Sequence, residues 1–263
     1  MKKIKVEMLW TAGMDSTFRL VQLSRMNNVE VQPYYVKGKR KSTSTEIKHM
    51  DLILDALSKK EATVATILKP IIIELDSIIM DEKIVEAHTK FNQYMWLGMQ
   101  YKYLASFAKD HKGLEISIER DEDREYAFQE KGMVFNPVET NIGVKYVIDK
   151  DADKNAYTIF KDFTFPISTI TKKQEFEQMS EWGYEDIIKL TWFCHNPIKD
   201  KPCGYCKPCL QCVEEGLSFR LDKAALRRNK FKWFYRIPIK INNFYNKLKS
   251  EKALRRDKNK KTH

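Results

Sequence analysis

The chain contains 263 residues, of which 43% are hydrophobic and 32% are charged. This composition is typical of a globular protein with a substantial core and excludes a chain that is disordered throughout. No segment approaches the roughly 18 apolar residues of a membrane span, and the lysine-rich first residues reach Glu7 before an apolar stretch of signal-peptide length can form. We therefore expect a cytoplasmic protein with one large domain, or one domain and an appendage.

The formal net charge of +11 is unevenly distributed along the chain. Residues 227–263, the basic tail, contain 14 lysines and arginines against Glu251 and Asp257, so the basic tail carries +12 and residues 1–226 carry −1. Aromatic residues alternate with the cations of the basic tail, which suits an anionic membrane surface or RNA. A third interpretation is a solvated basic helix whose aromatic residues pack on the body of the protein.

The hydrophobic pattern predicts strands and helices in alternation. Residues 4–10 and 30–36 have the composition of strands and flank a helix at 16–26, so the chain begins with a βαβ unit. Further along the chain, the pattern predicts a helix at 44–59, a buried strand at 69–75, one or two helices within 84–110, a strand at 114–118, a hairpin within 134–165 and a helix at 172–182. The turn of the hairpin is placed at the Asp- and Asn-rich stretch DKDADKN. This order predicts an α/β fold, Rossmann-like, with a parallel sheet and helices on both faces.

The turn from the first strand into its helix, TAGMDST, has the residues of an anion-binding loop. In a parallel sheet this turn presents backbone N–H groups and the positive end of a helix dipole to a ligand. Gly13 allows close approach of the backbone, Thr11 and Ser16 offer hydroxyl groups, and Asp15 can orient the loop or a magnesium ion. Ser16 and Thr17 can also cap the helix, and a well-capped helix start is the alternative interpretation.

All five cysteines lie in one run, TWFCHNPIKDKPCGYCKPCLQC. Disulfides are improbable in a cytoplasmic chain, whereas Cys-x2-Cys spacings place thiolates for tetrahedral zinc coordination. An iron–sulfur cluster is the competing interpretation, although the last spacing differs from the bacterial ferredoxin pattern. We predict a structural zinc site with Cys212 or His195 beside it or simply packed; its four ligands are Cys194, Cys203, Cys206 and Cys209.

The stretch Thr11-Ala12-Gly13-Met14-Asp15-Ser16 resembles the Ser-Gly-Gly-x-Asp-Ser loop of the PP-loop ATP pyrophosphatases, with Thr for the first Ser and Ala12 for the first Gly. These enzymes split ATP into AMP and pyrophosphate while adenylating a substrate oxygen. The resemblance implies an adenine nucleotide alpha hydrolase-like fold and ATP binding at residues 11–17. The implied nucleotide-binding residues are Thr11, Ala12, Gly13, Met14, Asp15, Ser16 and Thr17.

The cysteine spacing after Thr191 and Trp192, together with the upstream stretch FPISTITKKQEFEQMSEWG, resembles the 7-cyano-7-deazaguanine synthase family within this group. In those enzymes the lysine of a Thr-Lys pair reaches the ATP phosphates, a role that passes to Lys172, with Lys173 as the neighbouring candidate. The resemblance implies catalytic roles for Asp15, Ser16 and Lys172, with ATP, Mg²⁺ and Zn²⁺ as cofactors. It also implies a PP-loop domain over residues 1–226.

The implied reaction is adenylation of a carboxylate or amide oxygen, followed by attack of ammonia or another nitrogen nucleophile. If the resemblance holds fully, the substrate is 7-carboxy-7-deazaguanine and the product is its nitrile. Residues 97–124 depart from the family, because Glu119, Arg120 and Asp121 stand where that family places a Gly-x-Asn stretch. Three alternatives stay open: a tRNA-modifying PP-loop enzyme, a ligase acting on a protein or polysaccharide precursor, and a non-catalytic nucleotide-binding protein. Association into a homodimer is left open as well.

Overall fold

The computed structural model of the protein describes residues 2–120 and 132–236, so Asp121 and the greater part of the basic tail lie outside the described residues. The chain divides into two compact units, Met1–Trp192 and Phe193–His263. The second unit includes the cysteine run together with the start of the basic tail. The functional division at residue 226 stays a prediction.

A six-stranded parallel sheet forms the centre of the first unit. Its strands are β1 (Ile4–Leu9), β2 (Val29–Lys37), β3 (Thr66–Ile67), β4 (Ile71–Glu74), β5 (Leu114–Glu115) and β8 (Phe163–Thr164). Their order is β3-β2-β1-β5-β8, and β4 also pairs with β2. The register of β1 on β2 runs from Ile4 opposite Val29 to Leu9 opposite Tyr34, and Met8 pairs with Glu115 on the other side of β1. The predicted parallel α/β sheet is confirmed.

Helices cover both faces of this sheet. Those of the first unit are α1 (Met14–Ser24), α2 (Thr43–Ser58), α3 (Glu82–Phe91), α4 (Gln100–Ala108), α5 (Lys154–Phe160), α6 (Lys172–Glu181) and α7 (Glu185–Leu190). One core cluster contains Phe18 of α1, Ile53 of α2 and Met179 of α6, and the other contains Phe91 of α3 and Phe160 of α5. The division of buried helix residues between two clusters is what a sheet covered on both faces requires.

The predicted hairpin exists, but its turn lies earlier in the chain than expected. Strands β6 (Phe135–Thr140) and β7 (Gly143–Ile148) pair antiparallel, so residues 141–142 form the turn. The Asp- and Asn-rich stretch that predicted the turn instead begins α5, because the carboxylate of Asp153 accepts hydrogen bonds from the N–H groups of Asn155 and Ala156. An Asp in this position is a helix N-cap as readily as a turn residue.

The described residues of the second unit include two short helices, α8 (Lys207–Glu214) and α9 (Lys223–Lys230), and helical residues follow at 232–236. An aspartate, Asp222, caps α9 through the N–H of Ala225. Across the described residues of both units, none of the helices combines the length and the apolar character that a membrane crossing requires.

Candidate functional site

The loop between β1 and α1 lies at the carboxyl end of the central strand. Strand β1 has β2 on one side and β5 on the other, so the chain order reverses beside it, and open α/β sheets bind ligands at such a point. The loop is fixed at both ends: the indole Nε1 of Trp10 donates to Thr17 Oγ1 at 3.0 Å, and the N–H of Trp192 donates to the carbonyl of Ala12 at 2.8 Å. Its backbone is therefore held in place before any ligand binds.

Ala12 adopts a left-handed backbone conformation, with φ of +56°. This conformation costs about 1–2 kcal/mol for a residue with a Cβ, and the buried methyl group of Ala12 packs in the core. Strain of this kind persists where the surrounding structure imposes it, as it does at ligand-binding loops. Glycine is the residue that would relieve this strain.

Gly13 leaves bare backbone between two hydroxyl groups. A Cβ built on Gly13 would stand 3.3 Å from Thr11 Oγ1 and 4.0 Å from Ser16 Oγ. Gly13 is also the N-cap of α1, and no side chain caps this helix, so its first N–H groups face the same space. Hydroxyl and N–H donors around a bare glycine form a cradle for phosphate oxygens.

The seven predicted nucleotide-binding residues divide into two groups. The side chains of Ala12, Met14 and Thr17 are buried, so these three residues can offer a ligand only their backbone. The other four line a cleft of about 240 Å³ at the ends of β1, β2 and β5; they are Thr11, Gly13, Asp15 and Ser16.

Lys172, the first residue of α6, reaches the loop although it lies 157 residues from Asp15 in the sequence. Its ammonium group pairs with the carboxylate of Asp15 and lies 3.0 Å from Glu119 Oε2. A capping box between Thr171 and Gln174 fixes the start of α6 and hence the backbone position of Lys172. The structure therefore brings together all three residues predicted to be catalytic, Asp15, Ser16 and Lys172.

Glu175 belongs to this group and was not found by sequence reasoning. It lies one turn after Lys172 on α6, its side chain is buried, and its Oε2 lies 3.4 Å from Lys172 Nζ. Carboxylate oxygens of Asp15, Glu119 and Glu175 lie within 4.8 Å of one another. Oxygen ligands at this separation suit a hard divalent cation such as Mg²⁺. The only signal in the sequence was the i, i+3 spacing of lysine and glutamate, which also occurs on solvated helices.

Arg40, in the loop between β2 and α2, lies on the wall of the same cleft. Its guanidinium donates to Glu46 Oε2 at 2.7 Å and to the Tyr35 hydroxyl at 3.3 Å, and Glu46 is buried. Burial opposes the charge of Arg40, but the carboxylate of Glu46 outweighs it and holds the pKa of Arg40 above its usual value. Burial and the same carboxylate raise the pKa of Tyr35 to about 12. A positioned cation thus faces the cleft, together with Gln100 and Tyr103 of α4.

In the second unit, four cysteines converge. The sulfur atoms of Cys194, Cys203, Cys206 and Cys209 lie within 4.8 Å of one another, and all four side chains are buried. The Sγ–Sγ distance is 3.8 Å for Cys203 and Cys209, 3.8 Å for Cys194 and Cys206, and 3.4 Å for Cys206 and Cys209. The four predicted metal ligands therefore form one sulfur cluster.

Backbone N–H groups stabilise negative charge on these sulfurs. The N–H of Cys203 donates to Cys194 Sγ at 3.2 Å, and the N–H of Cys206 donates to Cys203 Sγ at 3.2 Å. A hydrogen bond from Cys194 lowers the pKa of Cys203 to about 7. The thiolate is the form that binds metal ions, so these bonds favour ligation.

Cys212 lies outside the sulfur cluster. Its thiol donates to the carbonyl of Leu217 at 3.1 Å, and burial raises its pKa to about 11. His195, the other residue predicted to stand beside the metal, is exposed and is not among the grouped ligand atoms of the described residues.

Helix α9 holds the turn between the second and third ligands. Arg228 Nε donates to the carbonyl of Cys203 at 2.7 Å, and Asn229 Nδ2 donates to the carbonyl of Gly204 at 2.9 Å. Gly204 has φ of +84°, and a Cβ there would overlap the carbonyl oxygen of Ala225. Two independent constraints therefore require glycine at this position.

We expect Gly204→Ala to lower the metal affinity of the sulfur cluster by about 10- to 100-fold, because the turn that places Cys203 and Cys206 must open. Gly216→Ala is the matched control, since Gly216 has φ of +76° but open space where its Cβ would lie. Zinc content and chelator competition of the two purified variants measure the effect. Equal metal affinities in the two variants would contradict the prediction.

Comparisons with known proteins do not assign this chain to a family. No model of a protein family matches the sequence, and no curated protein does so. Among solved structures, the U34-tRNA thiolase NcsA from Methanococcus maripaludis with its 4Fe-4S cluster is similar, with a TM-score of 0.41 and 10% sequence identity over 86% of this chain and 70% of that chain. Function is therefore inferred from the residues of this chain.

Proposed function

We propose that the protein is an ATP-dependent adenylating enzyme, which converts ATP to AMP and pyrophosphate while activating a carboxylate or amide oxygen of its substrate. The observation that carries the proposal is the contact of Lys172 with Asp15 at the mouth of the β1–α1 loop. The family resemblance implies roles in ATP chemistry for both residues, which lie in separate parts of the chain and meet at the position where open α/β sheets bind ligands.

The residues present fit a nucleotide triphosphate. Backbone N–H groups around Gly13, with the hydroxyl groups of Thr11 and Ser16, would bind phosphate oxygens, and Lys172 would stabilise the charge that develops on pyrophosphate. Asp15, Glu119 and Glu175 would hold Mg²⁺. The ion, when bound, supplies positive charge to the phosphate oxygens.

In the proposed reaction, the substrate oxygen attacks the α-phosphorus of ATP, the bond from that phosphorus to the bridging oxygen breaks, and pyrophosphate leaves. Ammonia or another nitrogen nucleophile then attacks the activated carbon, AMP leaves with the former substrate oxygen, and the nitrogen loses a proton. A carboxylate is a poor electrophile and AMP is a good leaving group, so adenylation supplies the driving force. Arg40 faces the cleft with a fixed positive charge that suits an anionic substrate.

The metal proposed for the sulfur cluster is Zn²⁺ in a structural role. A tetrahedral zinc with Zn–S bonds of about 2.3 Å separates its sulfurs by about 3.8 Å; three of the sulfur pairs lie 3.4–3.8 Å apart, and all four sulfurs lie within 4.8 Å of one another. A cubane iron–sulfur cluster holds its four thiolates on four different irons and needs a wider arrangement. The compact spacing supports a single ion.

A second candidate is a PP-loop enzyme that modifies tRNA, with the tRNA base in place of the small carboxylate. The observation that favours it is the cluster of exposed cations and aromatic residues at the start of the basic tail. Adenylation of a base oxygen uses the same nucleotide site, so the two candidates differ in the acceptor and not in the treatment of ATP.

Pyrophosphate release from ATP and Mg²⁺ tests the proposed function, with acceptors added singly. The acceptors are 7-carboxy-7-deazaguanine with ammonium, ammonium alone, and tRNA with ammonium or a sulfur donor. We expect acceptor-dependent release of AMP and pyrophosphate that Asp15→Ala and Ser16→Ala abolish. Release with 7-carboxy-7-deazaguanine establishes the small-molecule reaction. Release that occurs with tRNA and not with the other acceptors establishes the second candidate. ATP binding without pyrophosphate release under any condition would overturn both.

A further inference from the structure

The second unit exposes aromatic and basic side chains on one short segment. Residues 223–236 contain six lysines and arginines and no acid. Four aromatic side chains in this segment are between 43% and 58% exposed; they are Phe231, Trp233, Phe234 and Tyr235. Large aromatic side chains rarely stay exposed in a group on a protein surface without a binding partner.

Cations and rings line a single groove of about 440 Å³, which we call the tail groove. Its lining residues are Ala224, Arg227, Arg228, Phe231, Phe234 and Tyr235. The ring of Tyr235 stacks on that of Tyr205, with centroids 5.3 Å apart and planes at 11°. Tyr205 lies between Cys203 and Cys206, so the sulfur cluster supports one wall of the tail groove.

Two anionic partners suit cations and aromatic rings, a membrane surface and a nucleic acid, and the presence of both kinds of side chain inside one groove favours the nucleic acid. A helix that lies on a membrane separates its apolar face from its cations, because the rings enter the lipid while the cations stay with the headgroups. Single-stranded nucleic acid needs both kinds of side chain together, since bases stack on rings while adjacent phosphates pair with cations. In the tail groove, Arg227 and Phe231 lie one turn apart and line the same space.

We propose that the tail groove binds single-stranded RNA, with bases stacked on Phe231 and Phe234 and a phosphate held by Arg227. Arg228 has a structural role, because its guanidinium donates to the carbonyls of Pro202 and Cys203. The proposal goes beyond the adenylation reaction and does not depend on it, because the tail groove and the nucleotide cleft are built from different residues.

The experiment is fluorescence anisotropy of a short labelled single-stranded RNA with the full chain, without ATP, at salt concentrations from about 50 to 200 mM. We expect Phe231→Ala with Phe234→Ala to weaken binding by at least about 30-fold, because two base stacks are lost and each contributes at least about fivefold. Arg227→Gln should reduce the slope of log affinity against log salt by about 0.7, the value for one phosphate contact on a single strand.

Matched controls lie on the first unit. Trp96→Ala removes an aromatic side chain that is 84% exposed, and Lys150→Gln removes an exposed lysine. Neither variant should change the affinity for RNA. Circular dichroism and zinc content of the groove variants establish that they are folded.

Vesicles of anionic phospholipid test the competing interpretation, in which the tail groove binds a membrane surface. Binding to vesicles that the groove variants abolish, without binding to RNA, would overturn the proposal in favour of a membrane surface. Equal effects of groove and control variants on RNA binding would overturn it as well. If the protein binds RNA but releases no pyrophosphate, the proposed function is rejected and the proposal that the tail groove binds RNA is retained.

Discussion

Replacing Lys172 by glutamine is expected to lower the rate of acceptor-dependent pyrophosphate release by about 10²- to 10³-fold, the usual effect of removing one group that stabilises transition-state charge. The amide keeps much of the side-chain volume but removes the positive charge that pairs with Asp15, Glu119 and Glu175. Steady-state pyrophosphate release, with AMP quantified in the same samples, measures the loss. Binding of ATP should weaken far less than catalysis, because the backbone of the loop is unchanged.

Lys173→Gln is the matched control for this prediction. Lys173 is the next residue of α6, its side chain is 84% exposed, and it pairs with Glu177 rather than with the loop. We expect less than a twofold change in its rate, since an exposed ion pair of this kind contributes little. If Lys173→Gln loses most of its pyrophosphate release while Lys172→Gln stays active, the role proposed for Lys172 belongs to Lys173. Thermal unfolding of both variants shows whether the buried Glu175 carboxylate tolerates the loss of its partner.

The contact between Lys172 and the loop shows which parts of the site a sequence can predict. Residues 11–17 predicted the loop because a strand, a small-residue turn and an amphipathic helix are contiguous, and contiguous signals need no tertiary information. The role of Lys172 came from resemblance to a family and stays a prediction, and the structure shows that this residue contacts Asp15. Glu175 was missed because an i, i+3 Lys–Glu pair has the same spacing on a solvated helix.

Arg40 was missed for a related physical reason. The loop KGKRKSTST has the composition of a solvated connection, and nothing local distinguishes its third basic residue, Arg40, from the others. The distinction comes from Glu46, a buried carboxylate on α2 that holds the guanidinium of Arg40 beside the cleft. A tertiary partner decides the role of this residue.

Strand predictions were least exact where the strands are shortest. The strand predicted at 114–118 exists as β5, which contains two residues, and β8, also of two residues, is too short to produce a period. The stretch 69–75 predicted a buried strand from its apolar run, yet Ile71 and Ile72 of β4 are 42% and 40% exposed. Among the described strands, β4 pairs with β2 alone, at the edge of the sheet, where an apolar sequence does not ensure burial.

Glu115 provides the largest effect on stability that the fold predicts. It lies in β5, its side chain is fully buried, and both oxygens are bound: Arg19 of α1 donates at 2.8 and 3.0 Å, and Lys145 of β7 lies 2.7 Å away. Burial opposes ionisation of Glu115, but the bonds and charges of Arg19 and Lys145 outweigh it and hold its pKa below the usual value. One carboxylate thus connects the sheet, helix α1 and the hairpin.

Glu115→Gln is expected to lower the free energy of unfolding by about 3–5 kcal/mol, because it leaves the charges of Arg19 and Lys145 buried without their counter-ion. This loss is a large fraction of the roughly 5–15 kcal/mol that stabilises a typical domain. Urea unfolding followed by tryptophan fluorescence measures it. In the unmodified protein, a lowered folded pKa means that the contribution of Glu115 is present above the unfolded pKa of about 4.3 and is lost as the pH falls below it.

Glu86→Gln provides the comparison, because Glu86 pairs with Lys90 on the exposed face of α3 and is 65% exposed. We expect that substitution to change the free energy of unfolding by less than about 0.5 kcal/mol. The acid dependence separates the two sites further: stability of Glu115→Gln should fall less steeply below about pH 4 than that of the unmodified protein, since the titrating carboxylate is gone. A loss of less than about 1 kcal/mol in Glu115→Gln would show that water or rearrangement relieves the two cations, and the junction of sheet, helix and hairpin would then depend on its apolar contacts alone.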